Sequence, residues 1–326
     1  MYIEDLKFSL WADFIERDYL DNEFKDLINK GVINGATSNP AIFKNAILNS
    51  PAYKEQLTLL SAFDSKEKYE ALAIHDITKA ADILKPLYDA GDDGYVSIEV
   101  DPSLCDDALA TIAEGKRLFK RIDKENVMIK VPATPAGYEA MRELTACGIP
   151  VNATLIFKKE QALLCAKAFQ EGIEIYGKNV DTVISIFVSR VDRALDALLQ
   201  AHGIEVALSG IYNSADIYAA IEEMKVPGCR TLFASTGVKD DSLPPYYYVS
   251  GLLAYNSVNT APVKTIKAFH ENGTKERVLP LSDELIQKHF LKIKEAGIDF
   301  EAVLDAQIAD GLLAFKDAFK DILEAL

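Results

Sequence analysis

Seven short runs of β-forming residues, separated by helix-patterned stretches, constrain what this chain can fold into more than any other feature. They lie at Phe8 to Asp13, Val32 to Asn39, Tyr95 to Val100, Val127 to Val131, Pro150 to Ile156, Val183 to Val188 and Arg230 to Ser235, and an eighth is sought around Leu253 to Val258. After the third run Leu104, Ala108, Ile112, Phe119 and Ile122 recur at helical spacing; after the fifth, Ala162, Ala166, Phe169, Ile173 and Tyr176 do the same. Strands joined by helical crossovers pair in parallel, and about eight such units predict an α/β fold of the TIM (β/α)8 barrel type. Helix starts are marked at Thr134-Pro135 and Asn39-Pro40, a capping side chain followed by a proline at the first helical position. The stretch Pro40 to Gly94 is too long for one crossover and is expected to hold extra helices between strands 2 and 3. Ser282 to Leu326 is expected to form a helical tail packed across the barrel. No linker, low-complexity tract or fixed-period repeat divides the chain, so residues 1–326 are expected to form a single domain.

Composition narrows the partners. With 326 residues, 49% of them hydrophobic, the chain can bury a large core. Thirty-five basic against 50 acidic residues give a formal charge of -15, which repels nucleic acid and anionic membranes and favours a small-molecule substrate. The N-terminus lacks the pattern of a signal peptide, and no apolar run approaches the roughly 20 residues needed to span a bilayer. A cytoplasmic protein binding neither nucleic acid nor membrane is therefore expected. The cysteines Cys105, Cys147, Cys165 and Cys229 are scattered without CxxC spacing and read as free thiols. His75, His202, His270 and His289 lie in polar, helix-like surroundings with no nucleophile in view. Neither a metal centre nor a cofactor is expected. Gly91-Asp-Asp-Gly94 precedes a strand instead of following one, and no GxxxxGK[ST] motif occurs, which argues against a nucleotide site.

The informative residues are polar ones where an apolar strand should continue. In Val127-Met128-Ile129-Lys130-Val131 alternation turns Val127, Ile129 and Val131 toward the helices and aims Met128 and Lys130 into the barrel. Burying an ammonium is costly; lowering its pKa relieves the cost and leaves a free amine able to attack a carbonyl. Taken alone, such a lysine reads rather as half of a structural ion pair, or as a strand-end lysine reaching solvent. Its neighbours change the balance. The same alternation points Ser97 and Glu99, Asn152 and Thr154, Ser185 and Phe187, Trp11 and Asp13, and Thr37 and Asn39 inward, with the polar members near the C-terminal ends of their strands. Barrel enzymes assemble their sites at that end. Arg190 follows the sixth run directly, and Ser235-Thr236-Gly237-Val238-Lys239 follows the seventh. Together these supply two cations, a hydroxyl and a flexible backbone at one rim, which suits a phosphate.

These residues resemble the transaldolases, lysine-dependent aldolase-type barrels of the pentose phosphate pathway, over nearly the whole chain. The matching segments are Ala36-Thr-Ser-Asn-Pro40, Ser97-Ile-Glu-Val-Asp101, Met128-Ile-Lys-Val-Pro132, Val151-Asn-Ala-Thr154, Ile184-Ser-Ile-Phe-Val-Ser-Arg190 and Ala234-Ser-Thr-Gly-Val-Lys239. The resemblance implies that Lys130 forms a Schiff base with the C2 carbonyl of a ketose phosphate. Asp13 then takes the C4 hydroxyl proton as C3–C4 breaks, and Glu99, through a water held with Thr154, moves protons during carbinolamine formation and dehydration. It further implies that Thr37, Asn39, Asn152 and Ser185 hold the three-carbon unit and that Arg190, Ser235 and Lys239 grip the phosphate. The implied reaction moves dihydroxyacetone from sedoheptulose 7-phosphate to glyceraldehyde 3-phosphate, giving erythrose 4-phosphate and fructose 6-phosphate, without metal or cofactor. A homodimer is compatible with it.

Some transaldolases carry an arginine soon after the position of Ser235; this chain has Thr236-Gly237-Val238-Lys239, like a second branch, and Thr236 stays open as the alternative to Lys239. Related fructose 6-phosphate aldolases place a tyrosine where Phe187 stands, and the apolar ring favours transfer over release. Two other readings are an aldolase that frees dihydroxyacetone and a non-catalytic sugar-phosphate-binding barrel.

Overall fold

Eight strands pair in parallel and in chain order: β1 (Ser9–Ala12), β2 (Gly35–Thr37), β3 (Val96–Glu99), β4 (Val127–Pro132), β5 (Val151–Ile156), β6 (Thr182–Phe187), β7 (Cys229–Ala234) and β8 (Ser257–Ala261). β8 returns to β1, with Trp11 opposite Thr260, and closes the barrel. This computed structural model describes residues 2–239 and 242–326. Strands covered on both faces bury nearly every residue. The outward set, including Leu10, Ile98, Val127, Ile129 and Ile186, joins the core beneath the surrounding helices, and the inward set, including Trp11, Met128, Val183, Leu232 and Val258, fills the barrel. Trp11 crosses the interior because Gly35 faces it: a Cβ at Gly35 would lie 2.3 Å from the indole Nε1.

The long segment after β2 folds into the helices Pro40–Asn49, Lys54–Leu59 and Ser65–Asp89. Both expected caps form: Asn39 accepts from the amide of Ile42, and Thr134 from that of Gly137. The tail forms the helices Asp283–Glu295 and Phe300–Ala325, and the last of these lies against Pro40–Asn49 and the helix Ser189–Ala201 that follows β6. Among the described residues no helix is long and apolar enough to cross a membrane. All four cysteines are free.

Three expectations need correction. The eighth strand begins at Ser257, where the apolar run Leu252 to Ala254 has already ended in a turn at Asn256 (φ 53°). That run is buried in the core, whereas the strand itself is Ser-Val-Asn-Thr-Ala and carries little apolar signal. His289 is buried, edge-on to Tyr212, instead of lying in polar surroundings, and its Nε2 stands 2.8 Å from the hydroxyl of the fully buried Ser209, so a hydroxyl does lie beside this histidine. In β5 the alternation breaks: the register shifts between Ala153 and Ile156, and Leu155 sits in the left-handed region at φ 60°. Leu155 accordingly packs with the interior cluster instead of the helices.

Candidate active site

Lys130 is the fourth residue of β4, in register with Glu99 of β3 on one side and Asn152 of β5 on the other. Side chains at one level of a parallel barrel point the same way, so all three enter the interior. Lys130 Nζ donates to the Ser38 carbonyl at 3.2 Å and lies 3.7 Å from Glu99 Oε2. That second separation is an ion pair without a hydrogen bond, and neither Glu99 oxygen has a hydrogen-bond partner in the protein. Burial pushes the Glu99 carboxyl up to about 7, against the pull of Lys130 and with a smaller push from Asp13. The carboxyl is therefore poised to exchange a proton near neutrality.

Asp13 follows β1 and is fixed by its amide, which donates to the Ala261 carbonyl at 2.9 Å. Its Oδ1 accepts from Thr37 at 2.8 Å, and Thr37 in turn meets the Thr260 hydroxyl at 2.8 Å. Since Thr37 has one proton to give and gives it to the carboxylate, Thr260 donates to Thr37. Burial raises the Asp13 carboxyl above its usual range, with Lys130, Thr37 and Arg190 drawing it back. Ser185 donates to Asn152 Oδ1 at 2.7 Å, and Asn152 Nδ2 donates to Ser97 at 3.1 Å, a chain that links β6, β5 and β3 inside the barrel.

Asp13, Thr37, Asn39, Lys130, Ser185, Phe187, Arg190 and Ser235 line one cavity of about 150 Å³ at the C-terminal ends of the strands. Arg190, in the first turn after β6, lies 5.1 Å over the Phe187 ring; burial and nearby Arg193 pull its guanidinium below the usual range. Ser235, one residue past β7, is held in the left-handed region at φ 55°, a conformation costing about 1–2 kcal/mol. The bend is pinned from both sides, because the Ser235 carbonyl accepts from the Ser189 amide at 3.0 Å and the two hydroxyls are 3.2 Å apart. Hydroxyl and guanidinium thus share one corner of the cavity.

Not every expected residue arrives there. Lys239 is exposed and does not line the cavity. Thr236 is fully buried and donates to Asn259 and the Thr260 carbonyl, so it turns toward β8 and away from any ligand. Gly237 packs against Pro262. Asn39 spends its Oδ1 on the helix cap, leaving only its amide nitrogen to offer. Asn152, Glu99 and Thr154 lie behind the lining, and the Thr154 hydroxyl is buried without a partner in the protein.

Sequence reading missed Ser38, Thr260 and Phe315. Ser38 acts through its carbonyl, which no side-chain pattern reveals. Thr260 was hidden with its strand. Phe315 comes from the C-terminal helix, whose ring lies 5.9 Å from Lys130 Nζ.

The family model for transaldolase/fructose-6-phosphate aldolase matches residues 10–326. The chain is 48% identical to a protein named transaldolase from Campylobacter jejuni, over 98% of this chain and 99% of that one. It is 43% identical, with the same coverage of both chains, to a transaldolase from Helicobacter pylori.

Proposed function

Because the chain belongs to the transaldolase/fructose-6-phosphate aldolase family, we propose that the cavity around Lys130 is where it carries dihydroxyacetone from one sugar phosphate to another. The overall activity follows from the family: the chain is an enzyme of the transaldolase type, and its substrates are sugar phosphates. The single observation that carries the assignment of residues is the convergence of one amine and two carboxyl groups with raised proton affinity on one buried point.

Lys130 attacks the C2 carbonyl of a ketose phosphate such as sedoheptulose 7-phosphate. Glu99 gives a proton to the departing C2 hydroxyl, water leaves, and the iminium forms beside the resulting carboxylate. Thr154 and Glu99 together offer the polar contacts that hold this water. Asp13 removes the C4 hydroxyl proton; C3–C4 breaks and its electron pair moves into the iminium, leaving an enamine and an aldose phosphate. A second aldose phosphate, such as glyceraldehyde 3-phosphate, then accepts the enamine carbon and Asp13 returns the proton to the new hydroxyl; water adds back at C2, Glu99 taking its proton, and collapse of the carbinolamine frees the product ketose phosphate and the Lys130 amine. Arg190 and Ser235 bind the phosphate, and Asn39 and Ser185 orient the three-carbon unit. The geometry favours these two phosphate ligands over Lys239.

Borohydride reduction in the presence of fructose 6-phosphate is expected to add the three-carbon unit to the peptide containing Lys130. An adduct on another lysine, or none, would sink the assignment. The aldolase alternative is not favoured: both named relatives are transaldolases, and Phe187 presents no hydroxyl to hold a releasing water. Without an aldose acceptor, free dihydroxyacetone is expected to form far more slowly than transfer proceeds with one.

A further inference from the structure

We propose that Phe315 is a specificity-determining residue of the transfer: its ring keeps water from the bound three-carbon nucleophile and so commits it to an aldehyde instead of a proton. The inference rests on the reaction proposed above. On the C-terminal helix Gly311, Phe315 and Phe319 follow one another at four-residue spacing and so form one stripe. All three are buried. Gly311 lets the helix descend onto the mouth of the barrel, since a Cβ there would come within 2.9 Å of Leu155 Cδ2 and 3.6 Å of Arg190 Nη1. Phe319, one turn further on, stands edge-on to Tyr69 at 5.0 Å. Between them Phe315 lines the cavity at 4% exposure, facing Lys130. The helix is tied down on either side of the ring by Lys158–Asp305 and Lys44–Asp321 ion pairs, each at 2.5 Å.

The chemistry gives such a wall a task. Once C3–C4 has broken, the enamine on Lys130 has two fates. Its carbon can attack an aldehyde, forming a new C–C bond as the electron pair leaves nitrogen and the iminium returns. Alternatively it can take a proton from water, forming a C–H bond; the hydroxide left behind adds to the iminium, and collapse of the carbinolamine frees dihydroxyacetone and the amine. Only the second fate needs water at the carbon. A ring that keeps water from that carbon raises the barrier to its protonation while leaving carbon–carbon bond formation open. Phe187 supplies one apolar wall from β6 and Phe315 supplies another from the tail.

The test measures partition: free dihydroxyacetone formed from fructose 6-phosphate in D2O, with deuterium read at the new C–H bond, against transfer to an aldose phosphate. Phe315→Ala is expected to raise the ratio of release to transfer about tenfold, and Phe315→Leu, which keeps an apolar filler, to stay within about twofold of the wild type. Phe315→Tyr is expected to raise the ratio as well, because its hydroxyl can hold a water, and it covers the case in which the alanine variant does not fold. If the alanine and tyrosine variants transfer more slowly at an unchanged ratio, the ring only packs the helix and the inference is overturned. Borohydride trapping on the same samples separates the two levels: an adduct on Lys130 with an unmoved ratio defeats this inference alone, whereas no adduct in the wild type defeats the parent reading and this one together.

Discussion

At the N-terminal end of the barrel the Asp93 carboxylate, whose side chain is fully buried, accepts from both arms of Arg230 at 2.8 and 3.1 Å and from Trp11 Nε1 at 2.8 Å. At the C-terminal end Lys130 stands 3.7 Å from a Glu99 whose oxygens accept no hydrogen bond. Both ends bury opposite charges, yet only the first completes their contacts. A saturated pair of this kind holds its strands and has no valence left for a substrate. An unsaturated one costs stability and leaves the Glu99 carboxyl pushed up to about 7, where it can exchange a proton near neutrality. The contrast fits a barrel whose base supports the fold while its mouth does chemistry.

The contrast can be broken first at the base. Arg230→Met leaves Asp93 buried without its cation and is expected to cost about 3–5 kcal/mol of stability in denaturant unfolding, while the turnover of the folded fraction stays within about twofold. A loss of turnover at full stability would show that the base is not merely structural. At the mouth, Asp13→Asn is expected to preserve the borohydride-trappable adduct yet slow turnover on the order of 10³-fold, about 4 kcal/mol at the barrier, with the melting temperature held or raised. Near-normal turnover would remove Asp13 from the cleavage step.

The Glu99 carboxyl sharpens the comparison through pH. Its folded pKa, about 7, lies above the ordinary glutamate value of 4.5, so the folded state binds more protons between these values and stability from this group falls as pH rises through that window. Glu99→Gln, which cannot ionise, should gain on the wild type from pH 4.5 to 7, by on the order of 3 kcal/mol, and then level off. A constant difference across the range would mean that Glu99 is not held protonated by burial. The smallest effect is expected at the phosphate corner, where Arg190→Met should raise KM for a phosphorylated acceptor about tenfold and leave KM for its unphosphorylated analogue nearly unchanged. Equal effects on both would detach Arg190 from the phosphate.

Period-two alternation was enough to place Lys130, Glu99, Asp13 and Thr37 inside the barrel, because a strand's side chains have only two directions available. The same rule failed at Leu155, where the bulge in β5 interrupts the period, and at β8, whose Asn259 and Thr260 look like loop residues. It also could not tell which member of the loop after β7 would face the cavity. Ser235 enters the cavity by adopting a left-handed backbone, and Thr236 is drawn away by Asn259.

By itself, then, the sequence determined seven of the eight strands, the helix caps and the ring of inward polar groups, all set by contacts within a strand or a turn. Only the tertiary structure decided that a helix starting at Phe300 would lay Gly311 against Arg190 and Phe315 opposite Lys130. Helical periodicity defines an apolar face but not the surface it will cover, and that choice is made by the fit of the whole helix against elements distant in the chain.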